Sequence, residues 1–181
     1  HGGRIYVQVI KSPILDSKGN VAGVQILFWD VTAREMAEIE LRESETRKRA
    51  IFEAAMDCII FTDEAGKIVE LNRAAEVTFG YLRQEVIGRD LTDVFVPAEL
   101  RDRHRQNLER YMGAGELGSM LGRRLETAMI RKNGEQFQAE MTTQPIPLAQ
   151  SMAGFAVFVR DITLMKQAEA ELVHAKEAAE S

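Results

Sequence analysis

Several residue types are scarce in this 181-residue sequence, and each scarcity excludes a class of protein or site. The single cysteine, Cys58, excludes an internal disulfide and zinc sites built from several cysteines. No apolar run approaches the roughly 18 residues of a membrane span, and no secretory signal pattern opens the chain. Positive charge is not in excess, because 23 Lys and Arg oppose 28 Asp and Glu. We therefore expect a soluble, cytoplasmic protein without a membrane segment and without a nucleic-acid partner.

What is present is typical of a globular protein, with 45% apolar and 28% charged residues. At roughly 100–200 residues per domain, this length predicts one domain with residues to spare. A partial internal repeat accounts for the surplus. Asp30-Val31-Thr32 recurs 131 positions later as Asp161-Ile162-Thr163, and Gly23 recurs as Gly154. Residues 1–32 therefore look like a second copy of the end of a domain whose earlier part is missing from this copy.

The hydrophobic pattern predicts an α+β fold. Strands over 4–15 and 20–29 precede a largely polar helix over 33–55, which begins at the capping box Thr32-x-x-Glu35. A second strand pair, a group of helices and three final strands follow, and Asn133-Gly134 is a strong hairpin signal between two of those strands. The predicted later elements are strands at 58–62, 67–71, 123–131, 135–143 and 153–160 and helices at 73–79, 83–87 and 98–112.

An ordered set of short motifs resembles the PAS sensor-domain family. The set consists of Asp63-Glu64-Ala65-Gly66-Lys67-Ile68-Val69-Glu70-Leu71-Asn72, Phe79-Gly80-Tyr81, Glu85-Val86-Ile87-Gly88-Arg89, Arg131-Lys132-Asn133-Gly134-Glu135 and Arg160-Asp161-Ile162-Thr163. The resemblance implies a five-stranded antiparallel sheet with helices on one face, flanked by N- and C-terminal amphipathic signalling helices. It also implies no catalysis by the domain itself.

The resemblance and the repeat together predict four segments. Residues 1–32 are the C-terminal strand pair of an incomplete preceding PAS domain, and 33–49 are a helical linker. Residues 50–163 form one PAS domain, and 164–181 form a C-terminal signalling or coiled-coil helix.

His104 is the sharpest candidate for a cofactor-binding residue. The face of the 98–112 helix that should point inward carries Leu100, His104, Leu108 and Tyr111. The resemblance to haem-binding oxygen-sensor PAS domains would make His104 the axial iron ligand and Arg123 or Arg124 the partner of bound oxygen. The alternative, which we favour, is a histidine tied into the fold by a hydrogen bond, since the segment between Met112 and Arg131 departs from the haem pattern.

Other cofactors have weaker support in the sequence. Cys58 opens a predicted strand, where we expect a small buried apolar residue, and the Asn-Cys-Arg-Phe-Leu string of flavin-thiol photoreceptors is absent. A non-covalent flavin or a small-molecule ligand in the cleft between sheet and helices stays open. We expect no cofactor and no metal site.

The last helix carries the prediction about output. An apolar seam with 3-4-3-4 spacing, typical of a coiled coil, contains Met165, Ala168, Leu172, Ala175 and Ala179. In the family, Asp-Ile-Thr passes a signal from the sheet to such a helix. The resemblance therefore assigns signal relay to Asp161, Ile162 and Thr163, with Asp30 and Thr32 as their counterparts in the first copy.

The resulting hypothesis is a sensory module of a bacterial two-component protein. It would relay ligand or redox state through a homodimeric helix to a downstream effector in the same chain, which we expect to be a histidine kinase. A ligand-free module that only dimerises and relays is the alternative, and a nucleotide cyclase or transcription regulator is the alternative effector. This fragment is not expected to be an enzyme.

Overall fold

The computed structural model describes residues 4–106, 122–148 and 151–179. Its contacts divide the chain into two units, His1–Ala50 and Ile51–Ser181. In the first unit, β1 (Val7–Leu15) and β2 (Val21–Asp30) form an antiparallel hairpin. Asp16 orders the turn between them, because its carboxylate accepts hydrogen bonds from the amides of Lys18 (2.8 Å) and Asn20 (2.9 Å). The predicted pairing of these two strands is confirmed.

Both faces of this hairpin are exposed. Val24, Ile26 and Phe28 alternate along one face of β2 with exposed fractions of 58%, 54% and 73%. Leu27 and Trp29 lie on the other face and are 52% and 42% exposed. Two strands cannot bury such side chains on their own, so this pair lacks a hydrophobic core.

Helix α1 (Thr32–Ala54) follows directly. None of its residues is buried, and its middle is the polar stretch that the sequence predicts. Near its end, Phe52 stacks on Phe61 with ring centroids 5.4 Å apart. The end of the helix therefore packs against the second unit's sheet, on the face opposite to the core.

The second unit contains a five-stranded antiparallel sheet in the order β4-β3-β7-β6-β5. The strands are β3 (Cys58–Thr62), β4 (Ile68–Leu71), β5 (Leu125–Ile130), β6 (Gln136–Leu148) and β7 (Ser151–Asp161). Because β3 pairs with the last strand, β7, the sheet brings the start and the end of the unit together. The predicted α+β fold with this sheet is confirmed.

Short helices connect β4 to β5. They are α2 (Arg73–Phe79), α3 (Arg83–Val86), α4 (Leu91–Phe95) and α5, which starts with the 3₁₀ turn Ala98–Leu100 and continues over 101–106. Asn72 caps α2 by accepting from the amide of Ala75, and Asp90 caps α4 by accepting from the amides of Thr92 and Asp93. The last helix, α6 (Thr163–Ala179), follows β7 after one residue, Ile162.

The core lies between one face of the sheet and helices α2 to α4. Phe79 is at its centre, fully buried, with the Phe95 ring 4.1 Å and the Phe137 ring 5.6 Å away between centroids. Inward positions of three strands complete it: Cys58 and Ile60, Met129, and Phe155, Val157 and Val159. Helices on one face of the sheet are therefore confirmed.

Some predicted boundaries are wrong. The strand predicted from 123 begins at Leu125, so Arg123 and Arg124 precede it, and the strand predicted to end at 143 continues to Leu148. Helix α4 is missing from the sequence prediction, because one turn is too short for a periodic signal. The end of the helix predicted over 98–112, with Leu108 and Tyr111, lies outside the described residues.

Candidate functional site

The junction between β7 and α6 is built by Asp161, Ile162 and Thr163. The amide of Thr163 donates to Asp161 Oδ1 at 2.9 Å, which turns the chain from strand into helix. The Ile162 amide donates to the Gln138 carbonyl at 2.9 Å, and the Gln138 amide donates to Thr163 Oγ1 at 3.2 Å. With the Ile162 side chain also buried, the start of α6 is held against β6.

Arg131 joins this junction to the helical layer. Its guanidinium donates through Nη2 to Asp161 Oδ2 and through Nη1 to the carbonyl of Thr78, near the end of α2, at 2.5 Å. The same guanidinium lies 4.1 Å from the centroid of the Phe137 ring. Because one rigid group contacts the core, a helix and the junction, movement of α2 would be felt at the first turn of α6.

Electrostatics keep Asp161 ionised. Burial alone would raise the pKa of its carboxyl, but hydrogen bonds from the Thr163 amide and hydroxyl and from Arg131 lower that pKa below its ordinary value. A second ion pair lies one turn into α6, where Lys166 Nζ is 2.9 Å from Glu126 Oε1 on β5. The first turn of α6 is thus tied to two different strands and to the arginine.

The first unit has the same backbone junction. The Thr32 amide donates to Asp30 Oδ1 at 2.8 Å, the Tyr6 amide donates to Thr32 Oγ1 at 2.9 Å, and the Val31 amide donates to the Tyr6 carbonyl at 2.9 Å. Hydrogen bonds from Thr32 lower the pKa of the Asp30 carboxyl. Within residues 4–106, 122–148 and 151–179, however, no cation pairs with Asp30 as Arg131 does with Asp161.

His104 lies on α5 and is anchored to α4. Its Nδ1 is 3.0 Å from the hydroxyl of Thr92, which is buried, and burial lowers the pKa of the imidazole. Arg101 strengthens the same contact between helices by donating from Nε to the Val96 carbonyl at 3.0 Å. The favoured hydrogen bond is therefore present, while the role as an iron ligand stays a prediction.

Arg123 and Arg124 are both exposed, just before β5. Arg124 Nη1 lies 3.2 Å from Glu140 Oε1 on the neighbouring strand β6. The oxygen-binding role that the resemblance assigns to this pair stays a prediction. Among the described residues, no group of three or more His, Cys, Asp and Glu side chains could hold a metal ion.

Cys58 is 2% exposed at the start of β3, and burial raises the pKa of its thiol. The expectation of a small buried apolar residue is confirmed. In contrast, the α6 seam is open to solvent: Met165 is 58% and Leu172 is 72% exposed, and Ala168 and Ala175 are also exposed. No helix within the described ranges is long and apolar enough to cross a membrane.

The sequence analysis missed the role of Asn72. This fully buried side chain accepts hydrogen bonds at Oδ1 from the amides of Ile59 (3.0 Å) and Ala75 (3.1 Å). Its Nδ2 donates to the carbonyls of Phe52 (3.2 Å) and Asp57 (3.0 Å). The available signal was an asparagine between a strand and an apolar helix, which is typical of a helix cap. Arg131 was noticed only as part of a turn motif.

Comparison with known proteins agrees with this architecture. A family model described as the PAS fold matches residues 46–162. The sensor protein FixL of Bradyrhizobium diazoefficiens is 28% identical over 163 residues, which cover 88% of this chain and 31% of that protein. The cell-division control histidine kinase PdhS of Brucella ovis is 30% identical over 132 residues, which cover 73% of this chain and 12% of that protein.

Among solved structures, a domain of the sensory box sensor histidine kinase/response regulator from Geobacter sulfurreducens is 27% identical, with a TM-score of 0.52. The match covers 67% of this chain and 96% of that one. The chain therefore spans nearly all of an isolated sensor domain but less than a third of the two curated relatives. The family model's match to well over half of the residues, together with the observed sheet and helices, shows that this chain belongs to the PAS family.

Proposed function

We propose that the PAS domain of this chain senses a signal for a cytoplasmic, bacterial two-component histidine kinase and passes it to a downstream kinase domain through α6. The relatives support this proposal, since they are named as a sensor protein and a histidine kinase. The chain itself carries the sensor and the connector, and phosphotransfer belongs to the effector.

The carrying observation is the position of Arg131. A ligand or a change in redox state that alters the packing of α2 would move the Thr78 carbonyl, which accepts from one nitrogen of the guanidinium. The other nitrogen donates to Asp161, whose second oxygen starts α6. A small displacement beside the core is thereby converted into a choice between two orientations of α6.

The exposed seam of α6 supports a homodimer. The seam residues repeat at heptad spacing, and their exposure in a single chain leaves them available to a second α6. Two heptads rich in alanine bury little surface, so the seam needs the rest of a coiled coil in the longer protein. Rotation or separation of the two α6 helices would then reach the effector.

A ligand-free relay is the alternative for the same domain, and the contact of His104 favours it over a haem sensor. The Nδ1 of this histidine contacts the hydroxyl of the buried Thr92, so the ring has a structural task in joining α5 to α4. An absorption spectrum of the purified protein separates the cases. We expect no Soret or flavin bands, and a Soret band that disappears in His104→Ala would overturn this expectation.

The first unit supports a tandem arrangement. We assign residues 1–32 to the last strand pair of a preceding PAS domain, 33–49 to the connecting helix and 50–163 to the PAS domain described above. The shared junction at Asp30–Thr32 and Asp161–Thr163 supports this assignment, because both use the same hydrogen bonds to start a helix. Signals from an upstream domain would then enter through α1.

The test uses the longer protein that carries these residues. We expect autophosphorylation with ATP, and we expect Arg131→Ala to change its rate or its response to signal while the PAS domain stays folded by circular dichroism. Arg103→Ala, a change of an exposed arginine on α5, is the matched control and should behave as the wild type. Absence of autophosphorylation would overturn the kinase assignment, and equal behaviour of the two variants would overturn the relay through Arg131.

A further inference from the structure

The hairpin of the first unit repeats the β6–β7 hairpin of the second in register as well as in sequence. Each pair of partners in β1–β2 has a counterpart that lies 132 positions later in the first strand and 131 later in the second. Examples are Val7↔Asp30 with Ala139↔Asp161, and Ile14↔Gly23 with Ile146↔Gly154. Both ladders shift register immediately after these isoleucines. The second unit therefore shows what surrounds such a hairpin when its sheet is complete.

In the second unit, the outer edge of β7 is covered by β3. Residues 155–159 pair antiparallel with Cys58–Thr62, and the inward side chains of Phe155, Val157 and Val159 are at most 5% exposed. Their counterparts on β2 are Val24, Ile26 and Phe28, each more than half exposed. In the part of the chain that the structure describes, β2 pairs with β1 alone. Its other edge has the same pattern as β7 but lacks the strand.

Gly23 identifies the missing neighbour more closely. At Gly154, with a φ of 137°, an added Cβ would lie 1.8 Å from the carbonyl oxygen of Thr62, so the end of β3 requires a glycine there. At Gly23 an added Cβ would meet only Ile14 Cδ1, at 3.9 Å, among the described atoms. Nothing in the hairpin itself requires this glycine. The end of an additional strand lying over it would.

We propose that the free edge of β2, from Gly23 to Phe28, is a docking site for an apolar β-strand of the kind formed by Cys58–Thr62. The strand runs antiparallel to β2, ends over Gly23, and is carried by the segment that precedes residue 1 in the longer protein. This inference rests on the proposed function only in assigning the hairpin to a preceding PAS domain. A second copy pairing β2 with β2 would leave Gly23 unexplained, which is why we choose the strand instead.

The experiment uses the 181-residue chain and a synthetic peptide with the sequence of residues 57–72, in which Cys58 is replaced by Ser. This peptide contains the β3–β4 pair and would extend the hairpin to four strands. Trp29, the sole tryptophan, reports on docking, because its counterpart Arg160 contacts Asp57, the residue just before β3. We expect a saturable change of Trp29 emission and slower hydrogen exchange of the amides over 24–28.

Gly23→Ala is the decisive variant. It fits the isolated hairpin but places a methyl group where the strand must end, so we expect it to weaken binding roughly tenfold or more. Ser12→Thr adds a methyl group on β1 instead and should bind as the wild type. If the free peptide aggregates, the same 16 residues are joined ahead of His1 by a flexible linker, and the exchange of residues 24–28 is compared with and without Gly23→Ala.

Two outcomes would overturn the proposal. One is the absence of any saturable change in both formats, or an equal change in Gly23→Ala. The other is protection of residues 24–28 in the peptide-free protein that rises with protein concentration, which would show that a second copy covers the edge. Since the titration needs no kinase domain, its failure is distinguishable from failure of the proposed signalling function.

Discussion

Gly154 and Gly23 occupy equivalent positions, yet we expect opposite responses to the same substitution. In Gly154→Ala, the new Cβ would lie 1.8 Å from the Thr62 oxygen and 2.9 Å from the Thr62 carbonyl carbon. Both contacts are to backbone, so β3 and β7 must separate or the chain must bend. The φ of 137° adds strain, because L side chains rarely adopt it.

The magnitude follows from these two costs. A residue forced into an unfavourable φ region costs about 1–3 kcal/mol, and crowding in a packed interior costs about another 1–3 kcal/mol. We therefore expect Gly154→Ala to lower the free energy of unfolding by about 2–6 kcal/mol, out of the roughly 5–15 kcal/mol typical of a domain. Gly23→Ala should change it by less than about 1 kcal/mol, since the site is open and alanine reduces the entropy of the unfolded chain.

Urea unfolding followed by circular dichroism measures the effect, because the second unit holds most of the ordered strands. Emission of Trp29 follows the first unit separately and should be unchanged in Gly154→Ala. A midpoint for Gly154→Ala within error of the wild type would refute the reasoning, as would an equal loss in Gly23→Ala.

Three further predictions concern stability. Asn72→Ala should destabilise the protein by about 2–4 kcal/mol in urea unfolding, because it leaves two amides and two carbonyls at a buried position without a partner, whereas exposed Gln84→Ala should have no effect. The wild type should lose stability as pH falls below about 5, since the pKa of Asp161 is lowered in the folded state and the unfolded chain binds the proton first; a midpoint that depends on pH equally in Asp161→Asn would contradict this. Burial lowers the pKa of His104, so the unfolded state also binds that proton first, and stability should fall from pH 7 to about 5 in the wild type but less in His104→Gln, measured as thermal midpoints in matched buffers.

Much of the fold could be predicted from local patterns. The hairpins follow from strand periodicity and from turn residues such as those at Asn133-Gly134, which need no distant contact to be favourable. The repeat at Asp30 and Asp161 predicted one shared junction, and the same hydrogen bonds appear at both. Helix α4 escaped prediction because a single turn has no period to detect.

The candidate site was harder to predict. His104 was correctly expected to be tied by a hydrogen bond, yet its partner Thr92 lies on another helix and no spacing rule points to it. Arg131 reads as a turn residue in the sequence, although it contacts a carbonyl 53 positions earlier and a carboxylate 30 positions later. Contacts at such separations depend on how the sheet and the helices pack.

The sequence by itself determined the family, the order of strands and helices and the existence of a second, partial copy, because these are written in short segments whose preferences are local. Only the tertiary structure decided which residues connect the helical layer to α6 and why one glycine of the repeat is crowded while the other is open. The physical reason is that backbone approach and side-chain pairing between distant segments arise from burial of a shared core. The second unit buries such a core, whereas the described hairpin of the first does not.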